Sequence, residues 1–493
     1  MKGFVNQFLT TALAGLALVL PACQKDASEA EVPQWTAKES TLVGTLKESH
    51  YTPNEFVDAL GSPSMSGMLE RVAPMALPWA KALMQAKVLS HLPALDVKFA
   101  KECGTSIFDK RCWEIQSYTF SYWSQTVDGR EVRLSGRVTF PNNTVENIDH
   151  QVKTLTLHTH QALINADCAP SENLMYMPLK ALWDSAVIEP DLQEWGITYQ
   201  KESNGTGSPI AMARQLADCT VAALELMRRY GVTLAPDGYT TTWGSSETAA
   251  VPMAFARWYE TEAPQWIRDE LRLKSSFCGE GVVDLPALLR DHAYLRADKI
   301  RSDLPFLADY PNAFSAEQLG GYAPEALFAP KFSDEKVQLP DGRVVSRIKA
   351  FSMNLVGLVE KEAYSTLTSF DKIFSPDVLT ADGEVNMDSP IIRAWLACAE
   401  KNNGLSGWFP QHPVYLAHSP EDEMLPYEIT YGFYRRLSDF GQNPSVQMLS
   451  VPFIKDIEIG GFQPHNLISF LMLIQMSCAQ DPEDMVKIYQ PVS

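Results

Sequence analysis

The pattern of hydrophobic and polar positions changes near Cys112. Between residues 32 and 100 the apolar residues recur at helical spacing, most clearly in MLERVAPMALPWAKALMQAKVL, and predict a helical N-terminal arm that lies on the core. After Cys112, the stretches WEIQSYTFSYWSQ and EVRLSGRVTF alternate apolar and polar residues on either side of the turn VDGR. This alternation predicts an antiparallel hairpin.

Beyond the hairpin, short apolar runs alternate with helical patterns. The runs VKTLTLHTH and SAVIEPD precede the helical stretch MARQLADCTVAALELMRRYG, and the run GYTTTWGS precedes another helix. The alternation resumes near the end of the chain with PVYLAHS, YEITYGFYRRL, SVQMLSV and NLISFLMLIQM. Strands that alternate with helices predict an α/β fold, a mostly parallel central sheet flanked by helices on both faces.

The alternation is interrupted over residues 285–403. This segment is rich in Leu, Phe, Tyr and helix-forming residues, and it contains one turn signal, LPDGR. It predicts a helical cap inserted over one edge of the sheet. The chain then divides into a signal peptide (1–23), a tether and N-terminal arm (24–100), a first core segment (101–284), the cap (285–403) and a second core segment (404–493).

Composition and charge narrow the class of protein. The chain has 493 residues, of which 45% are hydrophobic and 20% are charged, as in a folded globular protein. Its formal net charge of −19 argues against nucleic acid as a partner, because phosphate binding requires a basic surface.

The N-terminus predicts export. One lysine precedes an apolar run from Phe8 to Leu20, and small residues lead to Cys23. LPAC resembles a bacterial lipobox, which implies that Cys23 is lipidated; the alternative is an ordinary thiol near a signal-peptidase site. The following QKDASEAE resembles acidic export signals of some Gram-negative bacteria. We therefore expect a lipid anchor on the bacterial outer membrane, at its periplasmic or cell-surface face, and no other membrane contact.

The remaining seven cysteines give one candidate disulfide. Cys103 and Cys112 bracket the short loop GTSIFDKR, and their spacing favours a bond between them. The other five lack the close pairs of a zinc site, so we predict no metal site. Because seven is an odd number, we expect at least one buried free thiol.

The stretch GSSET, Gly244–Thr248, is the candidate nucleophile turn. It follows a predicted strand and precedes a helix, where a serine is exposed at the helix N-terminus. It matches the pattern GxSxG at its first and third positions, with Thr248 in place of the last glycine. Ser246 is therefore the candidate nucleophile, and Ser245, at the intervening position, is the weaker one.

A serine nucleophile needs a base, and the base needs an orienting carboxylate. HSPEDEMLP follows a late strand and resembles the HGxxDxxVP pattern of α/β-hydrolases, which implies that Asp422 is the acid; Glu421 and Glu423 are the alternatives. His465, in GGFQPHNLISF, follows the last predicted strand and opens the last helix, and it is the candidate base.

The chain thus resembles a secreted α/β-hydrolase of the esterase and lipase kind, from Trp113 to about Gln480 apart from the cap. SGRVTFP, VIEPDLQEWGIT and QLADCTVAALELM support the resemblance by their order. HQALINADCAPS resembles the family's HGT loop, with His160 at the motif histidine and Gln161 at the usual glycine. The resemblance implies an oxyanion hole formed by the amide of Glu247 and that of Gln161 or Ala162. We expect His158 and His160 to orient this loop rather than to catalyse.

The implied function is hydrolysis of small-molecule, lipid or aryl carboxylic esters through an acyl-enzyme, with no cofactor. Two alternatives stay open: a serine peptidase on the same fold, and a non-catalytic surface binding module, which the substitutions at Gln161 and Thr248 favour. The aromatic residues of the cap either line a substrate pocket or form the cap's own core; they are Phe306, Tyr310, Phe314, Tyr322 and Phe328.

Overall fold

The core of the molecule is a ten-stranded mixed sheet. The computed structural model of the chain describes residues 35–61, 63, 114–142, 151–160, 166–183, 185–203, 205, 207–291, 310–338, 342–352, 371, 374–422, 425–439, 441–451 and 464–492. The strands in chain order are β1 Leu42–Tyr51, β2 Glu114–Gln125, β3 Glu131–Asn142, β4 Gln151–Thr159, β5 Ser185–Pro190, β6 Thr233–Ser245, β7 Leu273–Gly279, β8 Lys336–Gln338, β9 Val344–Ser346, β10 Val414–His418, β11 Val446–Ser450 and β12 Gln490–Pro491.

The strand order in the sheet is β1-β2-β3-β5-β4-β6-β7-β10-β11-β12. The six strands from β5 to β11 in this order run parallel to one another. The pairs β1–β2, β2–β3, β3–β5 and β11–β12 are antiparallel. The predicted β2–β3 hairpin and the mostly parallel sheet are therefore confirmed.

Most of the helices lie between parallel strands. In chain order, the helices of the described residues are α1 Pro53–Asp58, α2 Pro209–Arg229, α3 Val251–Thr261, α4 Gln265–Leu271, α5 Leu285–Asp291, α6 Pro330–Ser333, α7 Arg347–Ser352, α8 Pro390–Asn403, α9 Tyr427–Leu437 and α10 Pro464–Cys478. The longest, α2, begins where the sequence provides both an N-cap and a proline. The Ser208 side chain accepts a hydrogen bond from the Ala211 amide, and Pro209 occupies the first turn, where its missing N–H is not needed.

The sheet is covered on both faces, as the pattern predicted. Along β10, Val414 and Leu416 belong to one hydrophobic cluster and Tyr415 and Ala417 to the other, because successive side chains of a strand point to opposite faces. The first cluster contains residues of α2, α3 and α9, and the second contains residues of α10. The carboxyl ends of the parallel strands thus meet at one edge between two packed layers.

The prediction of a helical N-terminal arm is wrong for residues 42–51. This stretch is the edge strand β1, which pairs antiparallel with β2, for example Thr45 with Phe120. Its side chains are mostly exposed or half-buried, so it carries little of the alternation that marks a buried strand. Helix α1 follows β1, and residues 64–100 of the predicted arm lie outside the described residues.

The described part of residues 285–403 contains α5 to α8 and an antiparallel hairpin, β8–β9, on either side of the LPDGR turn. A third hydrophobic cluster lies here and includes Phe314, Phe328 and Trp395. The cluster also contains core residues such as Ala211 and Leu425. These contacts fit a cap that packs on the core, and its boundaries stay a prediction.

Within the described ranges, no helix has both the length and the apolar character needed to cross a membrane. Cys219, Cys278 and Cys398 are buried free thiols, which confirms the expectation of at least one. Cys23 and the predicted Cys103–Cys112 pair lie outside the described residues.

Candidate active site

The turn after β6 has the backbone geometry of a sharp strand-to-helix elbow. Ser245 ends the strand in an extended conformation with φ of −148°. Ser246 has φ of +53°, and residues 246–248 form one 3-10 turn before α3. A left-handed conformation costs a non-glycine residue about 1–2 kcal/mol, so the surrounding structure must hold it. Ser245 is wholly buried and Ser246 is half-buried, which leaves Ser246 the more accessible hydroxyl.

Neighbouring backbone holds this elbow in place. The Ser246 carbonyl accepts hydrogen bonds from the amides of Ala249 (3.2 Å) and Val282 (3.1 Å). A Cβ at Gly281 would collide with the same carbonyl oxygen. A Cβ at Gly244 would lie 2.8 Å from Thr159 Oγ1, closer than real Cβ atoms approach. The elbow therefore depends on glycine on both of its sides.

Thr248 is accommodated at the position where the GxSxG pattern has its second glycine. Its side chain is buried, and its hydroxyl lies 2.9 Å from the His160 carbonyl oxygen and 3.0 Å from that of Thr159. The Ser245 carbonyl is a third, longer acceptor at 3.4 Å. The departure from the pattern thus adds a hydrogen bond between the elbow and the end of β4.

The two histidines at the end of β4 are held by the neighbouring strand. His158 Nδ1 lies 2.8 Å from Glu189 Oε1, and His160 Nε2 donates to the Asp191 carbonyl at 3.0 Å. Burial lowers the pKa of His158 although Glu189 acts in the opposite direction. These contacts fit the orienting role expected for both residues. The predicted oxyanion donors Gln161 and Ala162 lie outside the described residues.

A second polar group lies at the ends of β7 and β10. His418, the last residue of β10, places Nε2 2.9 Å from the Leu425 carbonyl and 3.4 Å from Asp422 Oδ2. Its Nδ1 lies 2.8 Å from Thr430 Oγ1. Glu280 Oε2, directly after β7, is 3.9 Å from the same Nε2. The side chains of His418, Asp422 and Glu280 are fully buried.

Among the described residues, these three side chains form the group whose spacing could accommodate a metal ion. One ligand atom from each of His418, Asp422 and Glu280 lies within 4.8 Å of the others. However, a carbonyl oxygen only accepts, so His418 Nε2 carries its hydrogen toward Leu425 and offers no lone pair to an ion. The donor set therefore fits a hydrogen-bonded cluster better than a metal centre.

Solved structures share this architecture. No protein-family model and no curated protein matches the chain. LipA from Xanthomonas oryzae, described as a rice cell wall degrading esterase, is 14% identical over 89% of this chain and 97% of that one, with a TM-score of 0.57. A Legionella pneumophila protein named as a hydrolase is 14% identical over 90% and 98%, with a TM-score of 0.54. The chain has the α/β-hydrolase fold.

The α/β-hydrolase sheet brings the serine elbow and the acid turn to one edge. Segment 280–282 connects them, since the Val282 amide binds the Ser246 carbonyl while Glu280 lies beside His418 and Asp422. His465 is the second residue of α10, the helix that follows β11, as the sequence predicted. The side chain of His465 lies outside the described part of the structure.

Among the predicted alternatives for the acid, Glu421 is exposed and Glu423 is outside the described residues. Sequence reasoning missed two members of the site, Glu280 and His418. Glu280 stands between two glycines at the end of a strand, and His418 directly precedes the acidic turn. A polar residue at the carboxyl end of a buried parallel strand was the signal that both positions offered.

In the described part of the chain, neither the predicted aromatic residues of the cap nor a cavity nearby marks a pocket at Ser246. Phe314 and Phe328 are buried in the third hydrophobic cluster, Tyr322 is half-buried, and Phe306 is outside the described residues. A cavity of about 340 Å³ lies between α8 and α9 and is lined by Trp408, Phe409 and the Arg436–Asp284 pair. Ser246 and Asp422 do not line it.

Proposed function

We propose that this chain is a serine hydrolase that cleaves carboxylic esters with Ser246 as its nucleophile. The observation that carries the proposal is the positive φ of Ser246 on a strand-to-helix elbow at the carboxyl edge of a parallel sheet. Strain of this kind at a half-exposed serine is typical of a site where the hydroxyl must be presented to a substrate.

The proposed reaction has two halves. Ser246 Oγ attacks the ester carbonyl while His465 takes its proton, and the tetrahedral intermediate collapses as His465 returns the proton to the leaving alcohol. A water then attacks the acyl-enzyme, with His465 as base, and releases the carboxylic acid and free Ser246. Asp422 holds the imidazole tautomer. The amides of Glu247 and of Gln161 or Ala162 stabilise the oxyanion.

The proposed substrate class is supported by similarity, and the proposed location by the N-terminal sequence. LipA, whose fold this chain shares, is described as an esterase, which favours an ester over a peptide bond. We propose a small-molecule, lipid or aryl ester as substrate and no cofactor. The predicted signal peptide and the lipobox-like position of Cys23 support the proposal of an exported protein with a lipid anchor. Intact-mass analysis of the membrane-extracted protein would then show an acylated N-terminal cysteine.

The test is covalent labelling. The chain starting after Cys23 is treated with a fluorophosphonate probe, the adduct is located by mass spectrometry, and hydrolysis is measured on a panel of esters and peptides. We expect modification at Ser246, turnover of esters and complete loss of both in Ser246→Ala. Ser245→Ala is the matched control, because its hydroxyl is buried. A folded protein that is neither labelled nor active would contradict the proposal and favour a binding module.

A further inference from the structure

Thr248 carries a hydroxyl at a position where the α/β-hydrolase elbow has a glycine. The residue is 1% exposed, so its side chain contacts other protein atoms and not solvent. A buried hydroxyl without a partner costs free energy, and this one has its partners in the backbone of β4 and its continuation. The elbow therefore contains a bond that the pattern's glycine would not supply.

The bond reaches the place where β4 stops pairing with β6. The last paired residues are His158 with Trp243 and Thr159 with Gly244, so His160 lies beyond the ladder. The Thr248 hydroxyl is within hydrogen-bonding distance of the Thr159 and His160 carbonyls there. On its other side, the His160 ring is held by the Asp191 carbonyl. His160 is thus held both by the elbow and by Asp191, the residue that follows β5.

We propose that Thr248 is a positioning residue that sets the geometry of the oxyanion hole. It does so by tying the end of β4 to the turn that carries Ser246. The inference rests on the proposed function, in which the amide of Glu247, directly beside Thr248, stabilises the oxyanion. A donor misplaced by about 1 Å can cost on the order of a hundredfold in rate, because it no longer points at the developing charge.

The experiment compares Thr248→Val, which keeps the shape and removes the hydroxyl, with Thr248→Ser, which restores the hydroxyl. Each is measured for kcat and KM on the preferred ester, and for Ki with an aryl trifluoromethyl ketone. The ketone forms a tetrahedral oxyanion with the serine and so reports the oxyanion hole directly. Thr220→Val is the matched control, because this buried threonine on α2 donates its hydroxyl to its own helix, at the Leu216 carbonyl.

In Thr248→Val we expect kcat to fall roughly tenfold to a hundredfold with KM nearly unchanged, and Ki to rise by a similar factor. Thr248→Ser should recover most of the rate, and Thr220→Val should keep kcat and Ki.

Three results would overturn this inference and leave the proposed function intact. The first is a Thr248→Val variant with unchanged kcat and Ki, and the second is a lower kcat with unchanged Ki, which reports loss of folded protein. The third is a Thr248→Ser variant as slow as Thr248→Val. A natural chain that is folded but hydrolyses no ester and takes no probe would overturn the proposed function and this inference together.

Discussion

At the scale of single residues, two buried carboxylates, those of Asp422 and Glu280, approach the imidazole of His418. Asp422 Oδ2 is 3.4 Å from His418 Nε2, and Asp422 Oδ1 also accepts the Leu425 amide at 2.9 Å. Glu280 Oε2 is 3.9 Å away, beyond hydrogen-bonding distance. Asp422 is thus part of a bonded turn, and Glu280 lies beside the same His418 imidazole. Asp422 stays the carboxylate that we propose to orient His465, and Glu280 is the competing carboxylate at the same edge of the sheet.

Replacement of each carboxylate by its amide tests this assignment. In Asp422→Asn we expect kcat to fall roughly a thousandfold or more, because an amide no longer fixes the imidazole tautomer. In Glu280→Gln we expect a fall of less than roughly tenfold. The measurement is kcat for ester hydrolysis, with near-ultraviolet circular dichroism as the check on folding. The reverse order of the two effects would make Glu280 the acid.

The sequence indicated Ser246, Asp422 and His465 because each stands at a recognisable junction of strand and helix. It could not indicate how Thr248 is used, since the acceptors of its hydroxyl lie on β4, far along the chain. Nor could it show that Glu280 lies beside Asp422, because that proximity is created by the pairing of β7 with β10. The local sequence pattern predicts which strand end or turn carries a side chain. The pairing of the strands determines which other residues that side chain contacts.

At the scale of elements, predictions succeeded where burial is two-sided and failed where it is not. The parallel strands carry apolar runs, the β2–β3 hairpin alternates apolar and polar residues, and the structure contains both. The edge strand β1 pairs on one side only, and most of its side chains are exposed or half-buried, which weakens its signal. An edge strand with few buried side chains therefore gives only a weak pattern along the chain.

Helix α3 is joined to the segment before β10 by one carboxylate, Glu260. Its Oε1 accepts from the Gln411 amide (3.0 Å), the His412 amide (3.0 Å) and His412 Nδ1 (2.6 Å), and its Oε2 accepts from Trp408 Nε1 (2.8 Å). Burial by itself raises the pKa of Glu260, but these hydrogen bonds outweigh it, and the pKa lies below its ordinary value. The charged form is therefore the one that the fold requires.

We predict that Glu260→Gln lowers the free energy of unfolding by roughly 2 kcal/mol. The NH₂ group of glutamine would face the N–H donors that the carboxylate now accepts from, and the negative charge would be lost. The measurement is urea unfolding at pH 7. Glu262→Gln is the control: this side chain is 49% exposed and its 3.4 Å pair with Arg257 is a surface ion pair, worth less than about 1 kcal/mol. Equal effects of the two variants would refute the role of Glu260 as a joint.

At the scale of the whole molecule, Asp218 on α2 joins the N-terminal segment to the core. Its Oδ2 accepts from Trp35 Nε1 (3.1 Å) and Ser124 Oγ (2.7 Å), and its backbone carbonyl accepts from Thr41 Oγ1 (2.6 Å). The Trp35 ring also packs edge-on against Trp258, with ring centroids 5.3 Å apart. The pattern along the chain does not predict this contact, because the contact depends on the position that β1 takes beside β2.

The ionisation of Asp218 should make stability depend on pH. Burial raises its pKa to about 7, while the bonds from Ser124 and Trp35 act in the opposite direction. An acid whose pKa is higher in the folded state keeps its proton there longer than in the unfolded chain. Its contribution therefore becomes less favourable as pH rises from the unfolded pKa, near 3.8, to the folded one, and it is constant above that.

Asp218→Asn removes this titration and keeps an oxygen that can accept from Trp35 and Ser124. We expect the stability of the variant relative to the natural chain to increase by ~2–3 kcal/mol between pH 5 and pH 8, since one pKa unit corresponds to 1.36 kcal/mol. Urea unfolding at both pH values measures it, with the exposed Asp237→Asn as control. A difference between Asp218→Asn and the natural chain that does not change with pH would mean that Asp218 is already ionised in the folded protein, and that the N-terminal segment is held by a charge.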